Sequence, residues 1–162
     1  ALSSAASDVY KRQHADFVTI SIGSNDLLHL IQLDLNMEEM IKRDAHKFDE
    51  ACVQFAKTFP KIIREIRAVN PDVKIYADNI YNPAKGIDAF SQVYSAADAY
   101  INRMNRGFYP SDEYVLVDIK KCFDGEKESM VNLSFKGREI DPHPSEKGHK
   151  KIAQMVIKAM ER

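Results

Sequence analysis

The sequence predicts an α/β fold built on a parallel sheet, and three observations carry that prediction. Strand-like and helix-like patterns alternate along the chain, which is the order that right-handed crossover connections produce. The stretch Tyr114 to Ile119 (YVLVDI) is nearly continuous in apolar character, as strands covered on both faces are. The stretch Val18 to Asp26 (VTISIGSND) runs from β-branched alternation straight into a Gly-Ser-Asn-Asp turn. Ligands of open α/β sheets bind just beyond the carboxyl ends of the strands, so Asn25 stands where chemistry usually happens.

Taken in order, Val18, Ile20 and Ile22 lie two apart with Thr19 and Ser21 between them, which predicts a buried strand. Residues 27–48 begin apolar and become charged, predicting a loop with short helical pieces and a helix start at Asn36-Met-Glu-Glu. From Lys47 to Val69 the residues Phe48, Cys52, Phe55, Phe59, Ile62, Ile63 and Ile66 recur at spacings of three and four, the stripe of an amphipathic helix. Pro60 interrupts it, removing a donor and crowding the preceding turn, so a kink or two abutting helices is expected near Thr58. Asn70-Pro71 ends the helix, because a residue before proline avoids the α region.

Val73 to Ile80 alternates Val73, Ile75 and Ala77 against Lys74 and Tyr76 and predicts a second strand, with Tyr81-Asn-Pro as its exit loop. Ser91 to Met104 predicts a second helix and Tyr114 to Ile119 a third strand, while 122–139 reads as polar and irregular. A last helix runs from Ser145 or Glu146 to Met160, with Ile152, Met155, Val156 and Ala159 on one face. Three strands are few for a freestanding sheet. Without repeats, low-complexity tracts or linkers, the chain reads as part of one domain.

Composition excludes several function classes. The 162 residues carry 23 basic and 24 acidic side chains, interspersed, for a net charge of −1, so there is no nucleic-acid footprint. No apolar run approaches the roughly 18 residues that a membrane span needs, and no signal peptide is visible. Cys52 and Cys122 either pair or stay as buried free thiols, the blander reading. Residues 1–13 (ALSSAASDVYKRQ) show neither alternation nor a helical stripe. Ser7 to Gln13 looks like the translated end of a sequencing adapter, so 1–13 is read as a non-native leader and 14–162 as the C-terminal part of a single domain. A flexible native leader is the alternative.

The second stretch with unusual chemistry is Asp141-Pro-His-Pro-Ser-Glu-Lys-Gly-His149. Asp141 lies two residues before His143, prolines on either side stiffen the loop, and Ser145 can cap the following helix. A carboxylate that fixes the imidazole tautomer makes a histidine a general base near neutral pH, although a lone histidine is more often structural. Asp141, His143 and His149 as metal ligands is the competing reading. It is weakened by their spacing across a loop-to-helix junction and by the lack of a further Cys/His cluster. His149 is expected to pack or cap at the helix start, and His14, His29 and His46 to lie on the surface or in loops.

Gly23-Ser24-Asn25-Asp26 early, then Asp141-Pro-His143-Pro and Gly148-His149 more than a hundred residues later, resemble the SGNH hydrolases, also called the GDSL lipase and esterase family, over residues 16–162. The resemblance implies a three-layer α/β/α flavodoxin-like fold with a five-stranded parallel sheet and no cofactor. It also implies ester hydrolysis through an acyl-enzyme, with a small-molecule or lipid ester as substrate. Carried over, Asn25 is the side-chain oxyanion donor, His143 the general base and Asp141 its orienting acid, with Gly23 and Asp26 supporting the Asn25 turn. The family's acid usually lies three residues before the His, where Ile140 stands here. Glu139 is a weaker substitute, and orientation of His143 by backbone carbonyls is a further alternative.

The nucleophile is missing. The family carries it in Gly-Asp-Ser after its first strand, and this chain has no such motif; Ser3, Ser4, Ser7 and Ser24 lack the required context. The second glycine of the oxyanion hole has no match either. The expectation is a domain without its N-terminal strands, in which strand 18–22 becomes an exposed edge, inactive toward esters by itself and prone to self-association. Two alternatives remain, a carbohydrate acetylesterase using the same residues and a non-catalytic flavodoxin-like binding module. Nucleotide binding lacks a glycine-rich phosphate loop. Acyl chain, headgroup and localisation are not encoded legibly.

Overall fold

The computed structural model describes residues 14–30, 37–85, 91–136 and 139–162, and the leader reading of residues 1–13 lies outside them. Within these residues the order is β1 (Phe17–Ser21), α1 (Ser24–Leu28), α2 (Met37–Arg43), α3 (Ala45–Val69), β2 (Lys74–Asp78) and α4 (Ser91–Asn105), then β3 (Val115–Val117), α5 (Ile119–Asp124), β4 (Ser134–Lys136), β5 (Glu139–Asp141) and α6 (Glu146–Met160). Strands β1, β2 and β3 pair in that order, all parallel, with Ser21 beside Asp78 and Asp78 beside Val117. A separate antiparallel pair, β4 and β5, precedes the last helix.

The sheet divides the core into two layers. On one face Ile20, Ile75 and Ala77 pack against Phe48, Cys52, Phe55, Phe59 and Ile63 of α3 and against Ile101 and Met104 of α4. Phe59 and Ile63 are fully buried, each contributing roughly 1.5–3 kcal/mol by removal from water. On the other face Tyr76 and Val117 pack with Ile119 and Phe123 of α5, Met130 and Val131, and Ile152, Met155 and Val156 of α6. Helices on both faces of a parallel sheet make the three-layer α/β/α arrangement that the family resemblance implies.

The departures have physical causes. Pro60 does not divide the long helix: Ala45–Val69 is one element of 25 residues with Pro60 inside it. The apolar stripe continues across the proline through Phe55, Phe59 and Ile63, and packing outweighs one lost backbone donor. Tyr76, on the opposite face from Ile75, is buried as well, because α5 and α6 cover that face. β3 is shorter than predicted and is not covered on both faces. Asp118 leaves it to cap α5, its side chain accepting from the Lys121 amide at 3.1 Å, and Val115 and Leu116 are exposed on this outer strand. The irregular reading of 122–139 gives way to the end of α5 and the β4–β5 pair.

β1 is likewise only half buried. It is an edge strand of the described sheet, with Ile20 buried while Phe17, Thr19 and Ser21 stand exposed. Cys52 is buried, Cys122 is half-buried, and both thiols are free. Among the described residues no helix is long and apolar enough to cross a membrane.

Candidate active site

The first motif is set by backbone geometry. Gly23 leaves β1 with φ 99°, a left-handed conformation that glycine adopts without strain. It has a second reason to be glycine, since a Cβ there would fall 2.8 Å from Cε2 of Phe55 and 3.0 Å from Cδ1 of Ile80. The turn starts α1: the Asp26 amide donates to the Gly23 carbonyl at 3.2 Å, and Leu27 drops into the core as an anchor. Ser24, Asn25 and Asp26 are left exposed at the end of β1, so the Asn25 amide meets solvent at the carboxyl rim of the sheet.

The second motif is held by contacts from distant parts of the chain. β5 ends at Asp141, and the next residues are fixed on one side by the segment 130–132. The Asn132 amide donates to the His143 carbonyl at 3.2 Å, and Ser145 donates through both its amide and its hydroxyl to the Met130 carbonyl. Ser145 also caps α6, its Oγ accepting from the Gly148 amide at 3.1 Å. Gly148 must be glycine, because a Cβ would lie 2.1 Å from the Met130 carbonyl oxygen. His149, expected to pack or cap, is exposed in the first turn of α6. The cap is made by Ser145 instead, and the His149 backbone amide donates to the Ser145 carbonyl.

Within this loop Asp141 and His143 form a pair. Nδ1 of His143 is 2.5 Å from Oδ1 of Asp141, which also accepts from the His143 backbone amide at 3.1 Å. The two-residue spacing therefore lets one carboxylate oxygen hold both the ring and the main chain. Both side chains are largely exposed. With Nδ1 engaged as donor to a carboxylate, Nε2 is the nitrogen left to accept a proton. The side chains of Ile140 and Glu139, the other positions considered for the acid, lie outside the description.

Two consecutive residues of the β2 exit loop connect these motifs. Ile80 borders the Gly23 turn, and the Tyr81 hydroxyl donates to the Pro142 carbonyl at 2.9 Å, between Asp141 and His143. The Gly23 turn and the loop that carries Asp141 and His143 thus both border the exit of the central strand. Sequence reasoning recognised Tyr81 only as part of an exit loop; nothing in its spacing marks a hydroxyl whose partner is 61 residues away.

Asp78 went unremarked as well. At the last position of β2 it is buried, its Oδ1 has no hydrogen-bond partner among the described residues, and burial pushes its pKa up to about 6. The described residues gather no group of three His, Cys, Asp or Glu that could hold a metal ion.

The model of the GDSL-like lipase/acylhydrolase family matches residues 3–151, and the chain belongs to that family. It is 25% identical over 149 residues to the uncharacterized protein YpmR of Bacillus subtilis (strain 168), a match that takes in 91% of this chain and 55% of YpmR. The chain therefore spans about half the length of that curated relative. Its fold is similar to the crystal structure of the lipase Lip_vut3 from a goat rumen metagenome, with TM-score 0.67, 23% identity, and coverage of 93% of this chain and 67% of that one. It is also similar to phospholipase A1 from Streptomyces albidoflavus NA297, with TM-score 0.68, 15% identity, and coverage of 89% and 68% respectively. Both likenesses bear on the fold.

Proposed function

We propose that the domain from which this chain comes is a serine hydrolase of acyl esters, in which His143 is the general base, Asp141 its orienting acid and Asn25 an oxyanion donor. The observation that carries this reading is the 2.5 Å contact between Asp141 and His143 on a loop tied, through Tyr81 and Ile80, to the Asn25 turn. Asp141 holds the imidazole with Nδ1 protonated, so Nε2 takes the proton of a serine hydroxyl as that oxygen attacks the ester carbonyl. The carbonyl oxygen becomes an oxyanion, to which the Asn25 amide donates. His143 then returns the proton to the departing alcohol, and water, activated by the same nitrogen, releases the acid.

The serine is the part this chain does not provide. It contains no Gly-Asp-Ser, and Ser24 and Ser21 belong to the Asn25 turn and its strand. By itself the chain is therefore inactive toward esters. The test is p-nitrophenyl acetate and butyrate hydrolysis by the purified chain and by a version extended upstream with native sequence. The extended protein turns over, His143→Ala abolishes this, and Asn25→Ala lowers kcat by about a hundredfold to a thousandfold. Turnover by the 162-residue chain that is lost in His143→Ala overturns its inactivity. An extended protein without Gly-Asp-Ser, or with it but silent on acyl and sugar-acetate esters alike, overturns the hydrolase reading. Preference for sugar acetates would make it a carbohydrate acetylesterase.

A further inference from the structure

The β2 exit loop is more firmly fixed than its length requires, and the side chains that fix it are asparagines. Asn79 donates to Asp118 at 2.7 Å and accepts from the Lys120 amide at 2.8 Å, tying the loop to the start of α5. Asn105 of α4 clamps Ile80 from both sides, accepting from its amide at 2.9 Å and donating to its carbonyl at 2.8 Å. Asn82, almost wholly buried, accepts from the Ala84 amide at 3.1 Å and donates to Asp98 at 3.3 Å. Tyr81 sits between these anchors with its ring against Phe123, centroids 4.9 Å apart. It is the residue of this platform whose hydroxyl reaches the histidine loop.

The hydroxyl meets that loop at an informative atom. The Pro142 carbonyl belongs to the same peptide group as the His143 amide, and that amide donates to the carboxylate oxygen that holds the imidazole. A donor on the carbonyl polarises the peptide and strengthens its N–H as a donor, so the bonds run in series from Tyr81 through the peptide to Asp141 and on to Nδ1. Proximity of the carboxylate is visible from the other end: burial first, and then the charge of Asp141, push the Tyr81 phenol up to about 12, so it stays a donor throughout the neutral range.

We propose that Tyr81 is a positioning residue for the Asp141–His143 pair, its hydroxyl fixing the Pro142–His143 peptide and thereby the tautomer and direction of the imidazole. The proposal rests on the reading of that pair as acid and base, and it adds a residue that acts through the Pro142–His143 peptide.

The test uses the 162-residue chain with 15N-labelled histidine. In the unsubstituted protein the His143 ring shows a single Nδ1–H tautomer, and its backbone amide is protected from exchange. In Tyr81→Phe, which keeps the ring packed on Phe123, the two ring nitrogens move toward the averaged shifts of a tautomer mixture and the amide exchanges about fivefold to tenfold faster. Tyr109→Phe, a control on an exposed tyrosine, changes neither. If Asp141→Asn leaves the ring signals unchanged, the acid–base reading falls; if Asp141→Asn alters them and a folded Tyr81→Phe does not, the role of Tyr81 alone is overturned. Should Tyr81→Phe not fold, the chain is labelled with 3-fluorotyrosine. The Tyr81 fluorine signal then moves in Asp141→Asn, and an unmoved signal overturns the proposal.

Discussion

The two motifs are built in opposite ways. The Gly23–Asn25 turn is local: a strand end, one left-handed glycine and one buried leucine place the Asn25 amide within a few residues of sequence. The Asp141–His143 loop is assembled from a distance. Its atoms are held by Met130, Asn132 and Tyr81, and its side chains stand largely in solvent. A locally built site resists changes elsewhere but fails with its glycine. One assembled by long-range bonds tolerates loss of its exposed side chains but not of the packing beneath them.

The largest expected effect lies under the histidine loop. Gly148→Ala forces a methyl into the Met130 carbonyl at 2.1 Å, and Pro144 blocks the alternative at 2.9 Å. Backbone has to move, at a cost of about 3 kcal/mol or more, read as a fall in the urea midpoint. His143→Ala in the same loop shifts stability by less than about 0.5 kcal/mol, as surface changes do. Equal destabilisation by the two substitutions would erase the contrast.

Next comes the strand end beside the first motif. The Asp78 carboxyl, with its pKa pushed from 3.8 to about 6 by burial, holds its proton in the folded state where the unfolded chain has lost it. Its folded-state pKa is raised, so stability is complete below about pH 4 and declines as pH rises through about 6, by at most about 3 kcal/mol. Asp78→Asn removes that decline. Unfolding in urea at pH 4.5 and 7.5 checks it, and identical pH dependence in variant and parent chain refutes the assignment.

Smaller again is Gly23→Ala. Left-handed backbone costs an alanine about 1–2 kcal/mol, and the contact with Phe55 is with the edge of a ring that can shift slightly. A total near 2 kcal/mol is expected, together with a changed amide shift for Asn25. A neutral Gly23→Ala would mean that the turn is not locally determined.

Much of this was legible in sequence because it follows from local rules. The α3 stripe, the alternation in β1 and β2, the Ser145 cap and the Gly-Ser-Asn-Asp turn each depend on residues a few positions apart. The Asp-x-His spacing suggested a pair, and one oxygen of Asp141 does reach both the amide and the ring of His143. The misjudged elements are those decided by a distant neighbour. Of the two outcomes expected at Pro60, a kink or two abutting helices, the second is overturned, because Phe59 and Ile63 are packed along one continuous element. His149 is left exposed because the segment at Met130 holds Ser145, and Ser145 makes the cap.

What the sequence by itself determined, then, is the alternation of strand and helix and the two motifs that stand at a strand end and ahead of the last helix, since periodicity and side-chain type are properties of the local chain. Only the tertiary structure decided that the central strand's exit loop would run between the two motifs. Ile80 touches the Gly23 turn and Tyr81 holds Pro142 because three asparagines fix the loop to α4, α5 and its own backbone. Such bonds join residues that are remote along the chain, and no local pattern records which remote carbonyl a hydroxyl will meet.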